Sequence, residues 1–265
     1  MKQFTLKRAR DISGVSYLGG CKSSKLKKSL GKEVLTYGVY LAPADISGYN
    51  VCPNSEHCKT HCLNGSGYNR LETVRHGVKG HINVARLKKT RLFFQKRELF
   101  MRWMCYEIKR YQTKAERMGF DFAVRVNCTS DITPEMMRLE GFNILELFPN
   151  IQFYDYTKVP SRMKLMDKYP NYDLTFSYNG YNWDDCERFL KEGKKVAVVF
   201  EDEMPKTFCG YKVVDANNDD VRYLNNGGEI CGLRYHKVAN DYQNGKFKGL
   251  NTRFVVMKND LRCKF

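Results

Sequence analysis

The chain has 265 residues, 42% hydrophobic and 13% aromatic, enough to fill a core, which excludes a disordered tail or a mini-protein that needs staples. No apolar run approaches the roughly 18 residues of a membrane span, and "MKQFTLKRARDISGV" lacks the apolar stretch of a secretory signal, so the reducing cytosol is the expected compartment. The formal charge is +16, and all of the excess lies in residues 1–120, which hold 24 Lys and Arg against 8 Asp and Glu; residues 121–265 hold 21 of each.

A one-sided basic surface is the usual footprint of a polyanion partner, so contact with nucleic acid or a nucleotide is expected through residues 1–120. The bland alternative is a basic face that only solubilises. In a reducing compartment ten cysteines do not read as five disulfides. Most read as small buried hydrophobes, and clustered ones as metal ligands.

Residues 1–33 read as a basic, Ser- and Gly-rich N-terminal arm, with "CKSSKLKKSLGK" (Cys21–Lys32) as a mobile stretch. One domain follows over 34–265, with no linker or internal repeat to divide it. "VLTYGVYLAP" (Val34–Pro43) is a strand by its β-branched and aromatic content. A cysteine loop occupies 50–67 and a basic helical segment 71–118, expected as two helices. In the second, Leu92, Phe93, Leu99, Phe100, Trp103, Met104, Ile108 and Tyr111 recur near the helical period, which reads as a core-facing stripe rather than a base-stacking surface. Arg91, Lys96, Arg97, Arg102, Lys109, Arg110 and Lys114 fill much of the remainder.

After Gly119 short apolar runs alternate with helical stretches. The strands are expected at Phe122–Cys128, Ile151–Thr157, Tyr172–Tyr178, Lys195–Phe200, Tyr211–Ala216, Glu229–Tyr235 and Arg253–Met257, with helices such as Pro134–Phe148 and Asp184–Glu192 between them. Eight strands in a mostly βαβ rhythm predict an α/β fold with a parallel sheet. The count favours a (β/α) barrel, incomplete or distorted, over a doubly wound open sheet.

"NVCPNSEHCKTHCLNGSG" (Asn50–Gly67) places Cys52, Cys58 and Cys62 in a C-x5-C-x3-C spacing with His57 and His61 interleaved. With a helix starting near Ser55, Cys58 and Cys62 share a face, Cys52 reaches in from the loop, and the histidines lie about 100° away. Three thiolates fit a [4Fe–4S] cluster with one open iron. A Cys3His zinc would recruit a histidine or Cys21, although C-x5-C is outside the usual C-x2–4-C habit. Three unliganded thiols in a polar loop are the third reading.

Ligands of parallel α/β folds bind at the carboxyl ends of the strands. Those ends here carry Asn127, Ser130 and Asp131; Tyr156, Thr157 and Lys158; Ser177 and Tyr178; Glu201; and Asp215. Asp131, Lys158 and Tyr156 are the catalytic candidates. Asn127, Ser130, Arg162, Ser177 and Tyr178 are the cofactor-binding candidates. Lys158 and Arg162 suit a carboxylate or phosphate, and Tyr156 and Tyr178 suit stacking on a base. The competing reading of Asp131 is a helix N-cap before "TPEMM". There is no Walker A loop, no G-x-S-x-G and no H-E-x-x-H.

"VLTYGVYLAPADISGYNVCPNSEHCKTHCLNGSG", "RLKKTRLFF", "VRVNCTSDI", "LFPNIQFYDYTKVPSRM", "YDLTFSY" and "VAVVF" together resemble a bacteriophage family catalogued as gene product 88, over most of the chain from Val34 onward. The resemblance implies a phage protein working in the host cytoplasm. A looser resemblance joins Cys52, Cys58 and Cys62, then Ser130 and Asp131, then Thr157, Lys158, Pro160, Arg162 and Met163. That order is similar to phage proteins related to radical S-adenosylmethionine enzymes. Their spacing is usually C-x3-C-x2-C, shorter than here, and the Gly227–Glu229 segment reads as a turn into a strand rather than as their methionine-gripping motif. The resemblance implies a barrel whose three-cysteine cluster leaves one iron to chelate S-adenosylmethionine and start radical chemistry. The first expectation is thus an iron–sulfur, radical-SAM-like enzyme acting on a nucleic acid or nucleotide. The alternatives are a non-enzymatic, zinc-stabilised nucleic-acid-binding protein, and a metal-dependent nuclease using Asp131, Glu201 and Asp215.

Overall fold

Short runs of β-branched and aromatic residues, each stopped by Gly, Pro, Asn or Asp, set the strands. The computed structural model describes residues 4–66, 69, 71, 80–238, 241–243, 246–247, 250 and 252–265, and joins eleven strands of these in one sheet. In chain order they are β1 (Gly19–Gly20), β2 (Val34–Val39), β3 (Asp121–Arg125), β4 (Gln152–Thr157), β5 (Tyr172–Ser177), β6 (Lys195–Phe200), β7 (Thr207–Phe208), β8 (Tyr211–Asp215), β9 (Ile230–Arg234), β10 (Val255–Val256) and β11 (Cys263–Lys264). From β1 to β6 neighbours follow chain order, and the sheet continues as β9, β8, β7 and β11, with β10 on the end of β6. Every pair from β2 across to β8 is parallel. Antiparallel pairs occur only at the margins.

All eight expected strands form, the last shortened to Val255–Val256. The fold is α/β with a large, mostly parallel sheet. Among the described residues no ladder joins β1 to β11, so the expected barrel is met there only as that sheet.

The longer helices are α1 (Leu6–Ser13), α2 (His81–Gln95), α3 (Arg97–Met118) and α4 (Trp183–Lys191). Residues 72–79 of the expected basic helical segment lie outside the described residues. α2 and α3 part at Lys96, whose φ of −138° and ψ of 53° leave the helix. α3 stops at Gly119 in a left-handed conformation, with the Phe120 N–H returning to the Ala115 carbonyl, a glycine C-cap. The segment expected as an arm forms α1, capped by Thr5 and Gly14, then β1 and the turn Ser24–Lys27, and it buries Leu18 and Leu26. Glu107 of α3 ties it down by accepting from the Leu18 N–H (3.1 Å), the Gly19 N–H (2.9 Å) and the Tyr37 hydroxyl (2.7 Å).

The helix expected over Pro134–Phe148 is not formed. A 3-10 turn (Pro134–Met136), a two-stranded hairpin (Arg138–Leu139 with Phe142–Asn143) and one helical turn (Ile144–Leu147) replace it. Glu140 and Gly141 both take positive φ, 53° and 89°, which matches the twist of a two-residue hairpin and stops a helix. Asn143 then opens the final turn with a capping box to Glu146.

Period-two alternation gives the sheet two unlike faces. Tyr37, Val124, Phe153, Leu174, Phe176 and Val198 join Trp103, Met104 and Ile108 of α3 and Phe189 of α4 in the main core. The opposite face carries Thr36, Arg125, Tyr156, Asp173, Thr175 and Lys195, covered by Lys25 and by Asp220 and Arg222. No helix among the described residues is long and apolar enough to cross a membrane.

Candidate functional site

The chain leaves β2 and enters the cysteine loop through Ala44, held at φ 51°. That twist turns the Ala44 N–H onto the Cys52 sulfur at 3.4 Å, while the Cys52 N–H is fixed by the Asn50 side chain at 2.9 Å. The loop then winds more tightly than an α-helix. Cys58 and Lys59 donate backbone N–H groups to the Ser55 carbonyl, and Lys59–His61 and Leu63–Gly65 are 3-10 turns. Cys58 and Cys62 therefore flank a 3-10 turn instead of sharing an α-helical face. The Asn64 N–H reaches the Cys62 sulfur at 3.5 Å.

Cys52, Cys58 and Cys62 nevertheless line one cavity of about 190 Å³, together with Ala44, Lys59, Asn64 and Arg86. The Arg86 guanidinium bonds the Asn64 side chain and lies 5.1 Å from the Tyr40 ring centre. Burial pushes the Cys52 thiol up to about 12. Burial raises Cys62 as well, opposed by the Asn64 N–H and the charges of Lys158 and Arg86. All ten cysteines are free thiols. His57 and His61 do not line the cavity: His57 stacks on Tyr181 at 4.1 Å, and His61 Nδ1 faces the Tyr235 hydroxyl at 3.1 Å and Asp241 at 3.4 Å. Cys21 is buried elsewhere with Leu35 and Ala115. Among the described residues no group of three or more His, Cys, Asp or Glu is set to hold a metal ion.

The strand-end candidates stand at the carboxyl ends of the parallel strands, but several are already engaged. Asn127 is buried, with its N–H and Nδ2 on Asp155 and its Oδ1 accepting from Ser130 Oγ and the Ile132 N–H. Asn127 and Ser130 thus fold the loop after β3. Asp131 does not cap a helix, because the 3-10 turn begins after Thr133. Its carboxylate accepts from the Lys158 N–H (3.0 Å) and the Thr157 hydroxyl (3.2 Å), and it pairs with Arg162. Asp131, Lys158 and Arg162 are therefore in contact. The Lys158 ammonium faces the Phe254 ring at 5.6 Å.

Tyr156 and Tyr178 are not available for stacking. Tyr156 sits between the Arg125 guanidinium (4.7 Å) and the Lys25 ammonium (5.0 Å). Tyr178 is 2% exposed, packed against Trp183 and Phe208, and its hydroxyl accepts from Arg262 at 3.2 Å. The Ser177 carbonyl accepts from Asn182 at 3.1 Å. Asp131, Glu201 and Asp215 stand at three different strands with separate partners. Glu201 accepts from the Lys258 N–H and Asp215 from the Asn217 N–H.

Sequence reasoning missed the charged face of the sheet. Asp220, fully buried, pairs with Arg125 at 2.7 Å and Lys25 at 3.1 Å, and Lys195 pairs with Asp173 at 2.6 Å. The hydroxyls of Thr36, Tyr156 and Thr175 and the Nε atoms of Arg125 and Arg222 are buried without a hydrogen-bond partner among the described residues. The available signal was Arg125 itself, a cation inside "FAVRVNC" on the face opposite Val124.

A family model described as Gene product 88 matches residues 17–256. No curated protein and no solved structure matches the chain.

Proposed function

The chain belongs to the Gene product 88 family, and from that premise we propose that it is an iron–sulfur enzyme acting on a nucleic acid or nucleotide. Its site lies at the carboxyl ends of an incomplete, barrel-like sheet. The observation that carries the reading is the cavity that Cys52, Cys58 and Cys62 line together with Ala42, Pro43 and Ala44, the residues that follow β2.

The donor set fits a cluster. Iron–sulfur clusters are held by thiolates and tuned by hydrogen bonds to sulfur, and two of the three sulfurs already accept backbone N–H groups. The Arg86 and Lys158 charges act on Cys62 and suit an anionic centre. A single zinc needs four donors about 3.8 Å apart around one point, from Zn–S bonds near 2.3 Å. The expected fourth donors, His57, His61 and Cys21, face elsewhere. Three cysteines lining one cavity support a cluster that takes each thiolate on a different iron.

When bound, a cluster held by the Cys52, Cys58 and Cys62 thiolates would supply one-electron chemistry. The chain's own residues position and screen. Asp131 fixes Lys158 and Arg162 beside the loop, and the Asn54 amide reaches the Lys158 carbonyl at 2.8 Å to join that turn to the cysteine loop.

The nucleic-acid part rests on charge. Arg91, Lys96, Lys109, Arg110, Lys114 and Arg117 of the α2–α3 region are exposed and carry no ion pair among the described residues, whereas Arg125, Arg162, Arg188, Lys195, Lys212 and Arg262 are each paired with a carboxylate. Unpaired cations at high density are the electrostatic footprint of a phosphate backbone.

The test is anaerobic purification followed by iron, sulfide and zinc analysis, on the chain and on a Cys52→Ala, Cys58→Ala, Cys62→Ala variant. Iron and sulfide near four each per chain, lost in the variant, are expected. One zinc and no sulfide would replace this reading with a zinc-stabilised binding protein.

A further inference from the structure

Among the described residues, Tyr181 packs against the cysteine loop and presents its ring to solvent. Tyr181, just beyond β5, is 58% exposed. A lone exposed aromatic is ordinary, but this one is held from four sides. Asn179 Oδ1 accepts from the Tyr181 N–H at 2.9 Å and from the Asn182 N–H at 3.1 Å. Gly180 takes φ 99°, and a Cβ there would lie 2.7 Å from the Arg253 carbonyl carbon, so only glycine lets the two segments meet this closely. His57, between Cys52 and Cys58, stacks on the ring with centres 4.1 Å apart and a tilt of 35°. The exposed Arg253 guanidinium lies 5.2 Å from the ring centre.

We infer that Tyr181 is a stacking platform for one unpaired base of a single-stranded nucleic acid, held beside the cysteine loop at His57. Every base offers a π-face, and aromatic side chains interleaved with cations are how single strands are gripped without sequence preference. Arg253 rests on the ring in the free protein and turns to a flanking phosphate when a base takes its place. The Lys158 ammonium, which lies 5.6 Å from the Phe254 ring and makes no ion pair among the described residues, offers a second phosphate contact next to Arg253. A duplex keeps its bases stacked inside and gains only the phosphate contacts. The ring therefore selects single strands. This inference rests on the nucleic-acid part of the proposed function and assigns its substrate class.

The experiment measures fluorescence anisotropy of a labelled single-stranded oligonucleotide, the same strand with central abasic sites, and a duplex, at one fixed salt concentration. It uses the full chain, Tyr181→Ala, Tyr181→Phe and, as a control at the 138–143 hairpin, Phe142→Ala. Tyr181→Ala is expected to lose about 5- to 150-fold on the intact single strand, little on the abasic strand and little on the duplex, with Tyr181→Phe and Phe142→Ala close to the parent chain. Equal affinity of Tyr181→Ala and the parent for the intact strand, or an equal loss on intact and abasic strands, overturns the inference. It leaves the nucleic-acid reading standing if the parent still binds with steep salt dependence. A parent chain that binds none of the three overturns both.

Discussion

The backbone N–H of Ala44 donates to the sulfur of Cys52 across 3.4 Å. The bond is set by the chain before any ligand arrives, because Ala44 is held in a left-handed turn that costs an L-residue roughly 1–2 kcal/mol. Burial dominates all the same and pushes the Cys52 thiol up to about 12. Ligation by thiolate displaces the proton of each cysteine. Reconstitution with iron and sulfide should strengthen as pH rises from about 6.5 to 8.5, by up to tenfold per pH unit for each proton displaced. The check is cluster occupancy against pH at fixed iron; a flat profile would contradict the assignment of Cys52 as a ligand.

Asp220 is the anion on which the polar face of the sheet depends. Burial works to raise its carboxyl, yet Arg125 and Lys25 together hold it below the ordinary carboxylate value. Its contribution to stability is complete above about pH 4 and is lost as pH falls through the lower folded value. Asp220→Asn should cost about 3–5 kcal/mol, because it leaves the Arg125 cation buried without a counter-charge. The triple change Lys25→Met, Arg125→Met and Asp220→Leu should recover most of that loss. Urea unfolding of the three proteins decides it.

Asp155 behaves in the opposite sense. Burial raises its carboxyl to about 7, although Arg125 and the hydrogen bonds from Asn127 and Tyr172 pull it down. A raised acid favours the fold fully below its unfolded value near 4, and that contribution fades as pH climbs to about 7. Comparing thermal midpoints of the parent and Asp155→Asn at pH 5 and pH 8 should show the parent losing ground to the variant at the higher pH.

How far the sequence foretold this molecule follows from where its information is local. Strand positions were legible because "KVAVVF" and "YDLTFSY" carry their own period and stops, and Lys195–Phe200 forms as expected. Pro134–Phe148 misled because its apolar spacing is helix-like, while two positive φ angles at Glu140 and Gly141 decide its fold. The shared cavity of the three cysteines was legible from their spacing, although the 3-10 winding that builds it was not. Tyr156 and Tyr178 were placed at strand ends but not on a face, and a one-residue step decides whether such a ring meets solvent or core. Asp220 was illegible, since its partners Lys25 and Arg125 are distant in the chain.

Neutralising the open cations should change salt dependence before it changes specificity. Replacing Lys109, Arg110 and Lys114 with Gln should reduce the slope of log affinity against log salt for a single strand by up to about 2, near 0.7 for each lost phosphate contact. Duplex and single-strand affinities should fall together, unlike the selective loss at Tyr181. The measurement is a salt titration of oligonucleotide binding; an unchanged slope would place the polyanion contact elsewhere.

The most direct measurement is iron X-ray absorption on the anaerobically purified chain, read for neighbours of iron. The account predicts sulfur as the first shell and iron as the second, both absent when Cys52, Cys58 and Cys62 are replaced together. Iron bound only to nitrogen and oxygen, or a protein that carries zinc and no iron, would contradict it.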